Sequence, residues 1–304
     1  MGEVLVVGSV ALDDIETPFG RVKDALGGSA TYFSLAARLY SKVNVVAVVG
    51  KDFPRCHVEL LRAKGVNTEG LHVSDGSTFR WAGRYDYDLN TAQTLETQLN
   101  VFADFHPRLP ESYARSEFVF LANIDPELQI EVLRQVPRAK LRVLDTMNFW
   151  IERKRPQLLE ALSQVDVALM NEAEARQLAG TYSLVAAARF IRSQGPDTLV
   201  IKKGEYGAVL FADSGYFVAP AYPLEDVRDP TGAGDSFAGA FVGYLSSLDT
   251  VTPAAVRRAV VLGSVVASYA VEDFSVGRLA ALTCEEVVER YREFRHFTHF
   301  EDIE

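Results

Sequence analysis

Cysteine pairs, metal-ligand motifs, long apolar runs and excess positive charge are all missing from this 304-residue chain. The two cysteines, Cys56 and Cys284, stand far apart with no companion at metal-ligand spacing, so both read as reduced thiols of a cytoplasmic protein. The five histidines form neither an HxxxH nor an HExxH pattern, which argues against a transition-metal site. No apolar run approaches the roughly 20 residues of a membrane span, and no basic region with a long apolar segment precedes the first strand. A soluble, cytoplasmic chain is therefore expected. With 31 Lys and Arg against 41 Asp and Glu, the net charge is −10. Such a surface repels polyanions, so neither nucleic acid nor an anionic membrane is an expected partner. The one basic cluster, Arg153-Lys154-Arg155, reads as a solvated helix start. The GxxxxGK(S/T) loop of P-loop enzymes and the protein-kinase motif set are also absent.

What is present is ordinary globular composition, 48% hydrophobic and 24% charged, without repeats, low-complexity tracts or Pro/Ser linkers. One principal domain over residues 1–304 is the simplest account. Buried strands at Val4–Val7 and Val43–Val49 alternate with helical patterns at Ser29–Leu39 and Pro54–Lys64, the mark of a parallel α/β sheet. The alternation resumes from Phe118 to Ile201. In between, Thr78–Tyr85 alternates and is rich in aromatics, and Thr94–Phe102 reads as its antiparallel partner. Ala208–Phe211 and Tyr216–Ala219 predict a further pair. Helices over Gly232–Leu248, Pro253–Ala270 and Cys284–Arg295 close the chain.

Three constellations carry chemistry. In Asp229-Pro230-Thr231-Gly232-Ala233-Gly234-Asp235, small residues open a helix whose first amides have no intrahelical partner, a natural anion site. A structural reading, with Asp235 merely favouring the helix dipole, stands beside it. Asn171-Glu172-Ala173-Glu174 follows an apolar strand, and helix capping alone accounts for these residues. In Ile201-Lys202-Lys203-Gly204-Glu205-Tyr206-Gly207, a lysine leaving a buried strand can reach phosphates, although paired lysines are often only surface charge. On the other side, Asp13 or its neighbour Asp14 can accept hydrogen bonds from adjacent hydroxyls.

The string DPTGAGDSFAGAF at 229–241 resembles the C-terminal signature of the ribokinase-like (PfkB) family of sugar and nucleoside kinases. The resemblance implies a three-layer α/β/α core with a mainly parallel sheet and a small β-sheet lid, built from about residues 10–26 and 72–105. It implies transfer of the γ-phosphoryl group of ATP to a primary hydroxyl of a small sugar or nucleoside. Asp235 would be the catalytic base, and the backbone of Gly232, Ala233 and Gly234 the anion hole. Asn171 and Glu174 match the family's NxxE motif and would place phosphate and Mg²⁺, the latter through water. Lys202, Gly204 and Gly207 would approach the nucleotide phosphates, and Ser264 the adenine. Asp13 would grip the acceptor's hydroxyls against the Gly27-Gly28 backbone, with Asn123 as a further contact. Asp229 would hold a monovalent cation such as K⁺, and the lid sheet could pair two copies in a homodimer. The chain departs from the family pattern at Tyr32, where an Asn is usual, and at Asp273 and Ser275, where glycines are usual. Tyr32 could stack on a nucleobase or shorten the pocket. A non-catalytic sensor of the same fold and a dinucleotide-binding oxidoreductase are the rival readings; the glycine turn lacks the βαβ context that the second requires.

Overall fold

The structure is a computed structural model that describes residues 2–303. The chain opens with β1 (Glu3–Val7), a hairpin of β2 (Ala11–Thr17) and β3 (Gly20–Gly27), α1 (Ser29–Ala37), β4 (Lys42–Gly50), α2 (Arg55–Ala63) and β5 (Val66–Ser74). A second hairpin, β6 (Arg80–Tyr85) and β7 (Ala92–Gln98), precedes β8 (Phe118–Leu121), α3 (Pro126–Gln135), β9 (Leu141–Asp145), α4 (Asn148–Arg153) and α5 (Arg155–Leu162). Then come β10 (Val167–Asn171), α6 (Glu172–Ala179), α7 (Leu184–Arg192), β11 (Thr198–Lys202), β12 (Ala208–Ala212) and β13 (Gly215–Ala219). Four helices finish the chain: α8 (Ala233–Ser246), α9 (Pro253–Ala270), α10 (Gly277–Ala281) and α11 (Cys284–Phe297).

Nine strands form one sheet in the order β13-β12-β11-β10-β9-β8-β1-β4-β5. It is parallel from β11 to β5, and β12 and β13 add an antiparallel edge. Successive side chains of β1 serve opposite faces, as the strand period demands: Val4 and Val6 join one core cluster, Leu5 and Val7 the other. The first cluster gathers α1, α8, α9 and α11; the second gathers α3, α5, α6 and α7. Helices thus cover both faces, which is why these strands read as unbroken apolar runs. Phe33 of α1 stacks on Phe120 of β8 with ring centroids 4.2 Å apart, fixing the layer that carries α8. Each such buried aromatic contributes about 2–3 kcal/mol relative to exposure. No helix among the described residues is long and apolar enough to cross a membrane.

The other four strands form a small sheet, β3-β2-β6-β7. It is mixed: β2 runs antiparallel to β3 but parallel to β6, which pairs antiparallel with β7. Its bounds differ from the sequence-based span of about 72–105. Residues 72–74 belong to β5 and pair with β4 in the large sheet. At the other end Phe105 packs in the second core cluster, with Val101 and Phe102 against it. The strand expected over Thr94–Phe102 ends at Gln98, because Asn100 takes φ +49 and its side chain donates to the Thr78 carbonyl. β5 and α4 are not expected from the sequence. β5 alternates weakly, is exposed at its C-terminal end and carries Gly70 inside it, and so lacks a buried strand's apolar signature.

Candidate active site

The chain reverses direction across the large sheet at β1: β4 and β5 lie on one side of it, β8 to β11 on the other. Open α/β sheets bind ligands outside the carboxyl ends of the strands at such a switch point. Asp145, Asn171 and Lys202 are the last residues of β9, β10 and β11. The first turn of α8 arrives at the same edge, since a Cβ on Gly234 would stand 3.0 Å from Lys202 Nζ.

On this side of the site, three carboxylates surround one lysine. Lys202 Nζ donates to Asp145 Oδ2 at 2.6 Å. Burial would lower the Lys202 pKa, but Asp145, Glu174 and Asp235 together hold it above the ordinary value. Burial, reinforced by Asp145, raises the Glu174 carboxyl, while Lys202 opposes. Asp235 is pushed up to about 7 by burial and then by Asp145, again opposed by Lys202. It is half-buried, ringed by protein yet open to water on one side. Low dielectric and unequal charge thus bring its titration into the physiological range.

The helix mouth is receptive to an anion. Gly232 is the α8 N-cap at φ +76, a left-handed conformation that glycine adopts without strain. A side chain there would also run into the ring of Tyr32 beneath it. The amides of Gly232, Gly234 and Asp235 have no partner among the described residues, whereas Ala233 N–H donates to the Pro230 carbonyl at 3.2 Å. The amides facing outward are therefore those on either side of Ala233. Next to this mouth, Asn171 and Glu174 form a reciprocal capping box: Asn171 Oδ1 accepts from Glu174 N–H (2.8 Å) and Glu174 Oε2 accepts from Asn171 N–H (2.7 Å). The capping reading is correct in geometry, and the capping carboxylate still feels the charges of Asp145 and Lys202. Among the described residues, no group of three or more His, Cys, Asp or Glu is arranged to hold a metal ion by itself. Gly204 (φ +55) and Gly207 (φ +87) shape the turn after β11, where Lys203 N–H donates to the Gly207 carbonyl at 2.7 Å.

The opposite side is acidic and hydroxyl-rich. Asp13 on β2 is buried, and burial, with Asp229 nearby, pushes its carboxyl up to about 8. Its carboxylate lies over Gly27, where a Cβ would collide with it. Asp14 turns to the other face of the strand and accepts from Asp24 N–H at 2.8 Å, so Asp13 is the one directed at the site. Gly28 caps α1, and Ser9 and Ser29 exchange hydrogen bonds that fasten the loop after β1 to it. Tyr32 is 1% exposed, and its hydroxyl has no partner among the described residues. Burial and the carboxylates of Asp229, Asp13 and Asp235 raise its pKa far above the ordinary value, so the phenol stays neutral. Packed under Gly232, the ring cannot stack on a nucleobase, contrary to one of the two expectations.

Three further candidates are held by other contacts. The Asn123 amide donates to Met147 Sδ (3.0 Å) and accepts from Trp150 Nε1 (3.0 Å), so its side chain is already engaged. Ser264 is buried in α9 beside Gly263, which packs on the Phe237 ring; no hydrogen bond joins it to the charged cluster. Asp229 accepts from Thr231 N–H (2.9 Å) and Ser275 N–H (3.0 Å), and the Ser275 hydroxyl donates to the Leu26 carbonyl at 2.6 Å. Asp229 therefore clamps the α8 mouth to the 272–276 loop and, through it, to β3. Sequence reasoning passes over Asp145, whose only signal is an acid closing an apolar strand; the lid residue Tyr85 accepts from Thr231 Oγ1 at 3.2 Å.

A helix mouth with free amides, a carboxylate in its first turn and a buried lysine behind it, set at the carboxyl edge of a parallel sheet, define a phosphotransferase. The family model for pfkB family carbohydrate kinases matches residues 1–280, and the chain belongs to that family. It is 30% identical over 250 residues to the cytidine kinase of Thermococcus kodakarensis, covering 80% of this chain and 89% of that one. The nucleoside kinase of Methanothermobacter thermautotrophicus is 27% identical over 289 residues, covering 89% and 90%. Among solved structures, an Escherichia coli protein described as a ribokinase, in complex with ATP and Mg²⁺, superposes with a TM-score of 0.79 at 18% identity, over 96% of this chain and 100% of that one. The chain is an ATP-dependent kinase of a sugar or nucleoside hydroxyl. The sensor and oxidoreductase readings fall away.

Proposed function

We propose that the acceptor is a nucleoside, phosphorylated at a primary hydroxyl, with Asp235 as the base. One observation carries this reading: Asp235 lies in the first turn of α8 between free amides and the acceptor-side carboxylates. An acceptor hydroxyl held beside Asp13 would meet Asp235, and the phosphoryl group would pass over the amides of Gly232 and Gly234. Asp13 and the Gly27-Gly28 backbone would orient the acceptor, since buried carboxylates with few donors favour a ligand rich in hydroxyls. Lys202, held by Asp145, would meet the transferring phosphate; Gly204 and Gly207 would shape the nucleotide turn, with Ser264 toward the adenine. Asn171 and Glu174 would stand on the metal side. The surplus of the Asp145, Glu174 and Asp235 carboxylates over Lys202 fits Mg²⁺, which takes one or two carboxylates with several waters and would neutralise phosphate charge when bound. We assign Asp229 to the loop clamp rather than to K⁺, because both its oxygens already accept amides. The small sheet serves as the lid of a single kinase unit, working in the cytoplasm where ATP is supplied. Its outer strand β7, exposed along all seven residues, supports pairing of two lids in a homodimer.

The relatives' activities favour a nucleoside. The test is ADP formation with ATP and Mg²⁺ over a panel of pyrimidine and purine nucleosides and small sugars. A nucleoside used at least ~10-fold more efficiently than any sugar, in kcat/KM, supports the assignment; a preferred free sugar overturns it.

A further inference from the structure

The second hairpin is attached to the core at two points near its tip. At the C-terminal end of β6, just before the turn, the Tyr85 hydroxyl accepts from Thr231 Oγ1 at the mouth of α8. In the turn itself, Asn90 Nδ2 donates to Glu205 Oε1 at 3.1 Å, and Glu205 N–H donates to Asn90 Oδ1 at 3.4 Å, across 115 residues of sequence. The fit is close: Gly204, at φ +55, turns its bare α carbon to this side chain, and a Cβ there would collide with Asn90 Oδ1. Asn90 Nδ2 also donates to the Asp88 carbonyl at 2.9 Å, which sets its rotamer. The preceding Leu89 sits at φ +51, uncommon for a leucine, and is half-buried while Asp86, Tyr87 and Asp88 beside it are exposed. Backbone strain of this kind persists where surrounding contacts over-determine it.

We propose that Asn90 is a positioning residue that latches the lid onto the nucleotide-side turn. A lid that covered only the acceptor would need no contact with Gly204 and Glu205. With the turn on Gly204 and Glu205 and the adjoining end of β6 on Thr231, one closure draws the mouth of α8 and the donor's turn together. The conformation of Gly204–Gly207 and the closure of the lid then depend on each other. A neutral amide suits this place, because a carboxylate there would face Glu205 and a cation would bind it without a fixed geometry. The kinetic part of this inference rests on the kinase reading; the latch itself does not.

The test uses the full-length protein. Asn90→Asp is nearly isosteric and sets two carboxylates against each other. Amide hydrogen exchange over residues 80–98 of the ligand-free protein should quicken by about three- to tenfold, the scale of one or two exposed hydrogen bonds. The acceptor KM should rise by a similar factor, and ATP hydrolysis without acceptor should increase as water enters. In a cycle of Asn90→Ala, Glu205→Ala and the double variant, the double should be no worse than either single. Unchanged exchange in N90D, or additive effects in the cycle, overturns the latch. Quickened exchange with unchanged acceptor KM and hydrolysis overturns its coupling to catalysis. Exchange is read without substrates, so a wrong acceptor assignment would leave the exchange result unaffected.

Discussion

The two halves of the cleft hold similar numbers of carboxylates and treat them in opposite ways. On the nucleotide side, Asp145, Glu174 and Asp235 share the Lys202 ammonium and stand beside free helix amides. On the acceptor side, Asp13 and Asp229 lie among Tyr32, Tyr85 and backbone amides, and the charges acting on Asp13 are those of other carboxylates. The first arrangement suits a polyanion with its metal; the second suits a neutral polyol that donates hydrogen bonds. Asp235 borders both, as a group moving a proton between them must.

Breaking the shared member should have the largest effect. Asp235→Asn is expected to lower kcat by at least ~100-fold with the fold retained, the scale of general-base loss; near-normal turnover would remove Asp235 from the chemistry. Lys202→Met should follow, raising the ATP KM by at least ~30-fold and leaving buried carboxylates uncompensated, at a cost of about 3 kcal/mol to folding at pH 8. Urea unfolding checks the second part, and an unchanged midpoint would mean that the lysine is not a structural counter-ion.

Asp13→Asn should separate the halves. The acceptor KM should rise about 10- to 100-fold while the ATP KM stays within about twofold, since only a hydroxyl partner is lost. The same change should stabilise the ligand-free protein at high pH. The folded Asp13 pKa of about 8 lies above its unfolded value, so its contribution to stability is complete in acid and is lost as pH rises through 8. At pH 9 the Asn variant should therefore be more stable than the wild type by at least ~2 kcal/mol, and the difference should shrink as the pH falls towards the unfolded carboxylate range. A pH-independent difference would contradict the buried, proton-holding carboxyl. With Asp235, raised to about 7, as the proposed base, kcat/KM should climb with pH along an acid limb centred near that value. An acid limb near the ordinary carboxylate range would place the base in open water. The smallest effect expected is that of K⁺. Replacing it by tetramethylammonium should change the rate by less than about twofold, because Asp229 and Ser275 order their loop by direct hydrogen bonds. Strong activation would mean that the clamp opens to admit an ion.

How much is legible in the sequence follows from how local each feature is. The helix mouth can be read because its glycines, Asp235 and the apolar face of α8 lie in one string. The core strands can be read because burial on both faces leaves an unbroken apolar run. Asp145 cannot, since its meaning depends on β9 lying where Lys202 can reach across from β11. The engagement of Asn123 is hidden because Trp150 and Met147, which occupy its amide, follow a strand later. The choice between Asp13 and Asp14 needs the pleat of β2. The lid's true bounds depend on Asn100 breaking a strand that composition alone would continue.

Tyr32 under Gly232 has a consequence for how this enzyme can diversify. One buried side chain props the glycine turn at the mouth of α8 and sits near the charges of Asp13, Asp229 and Asp235. A smaller residue at 32 would open space near those carboxylates and at the same time remove the support of that turn. New acceptors are therefore expected to arise through changes in the lid strands, while position 32 stays fixed by the demands of the transfer step.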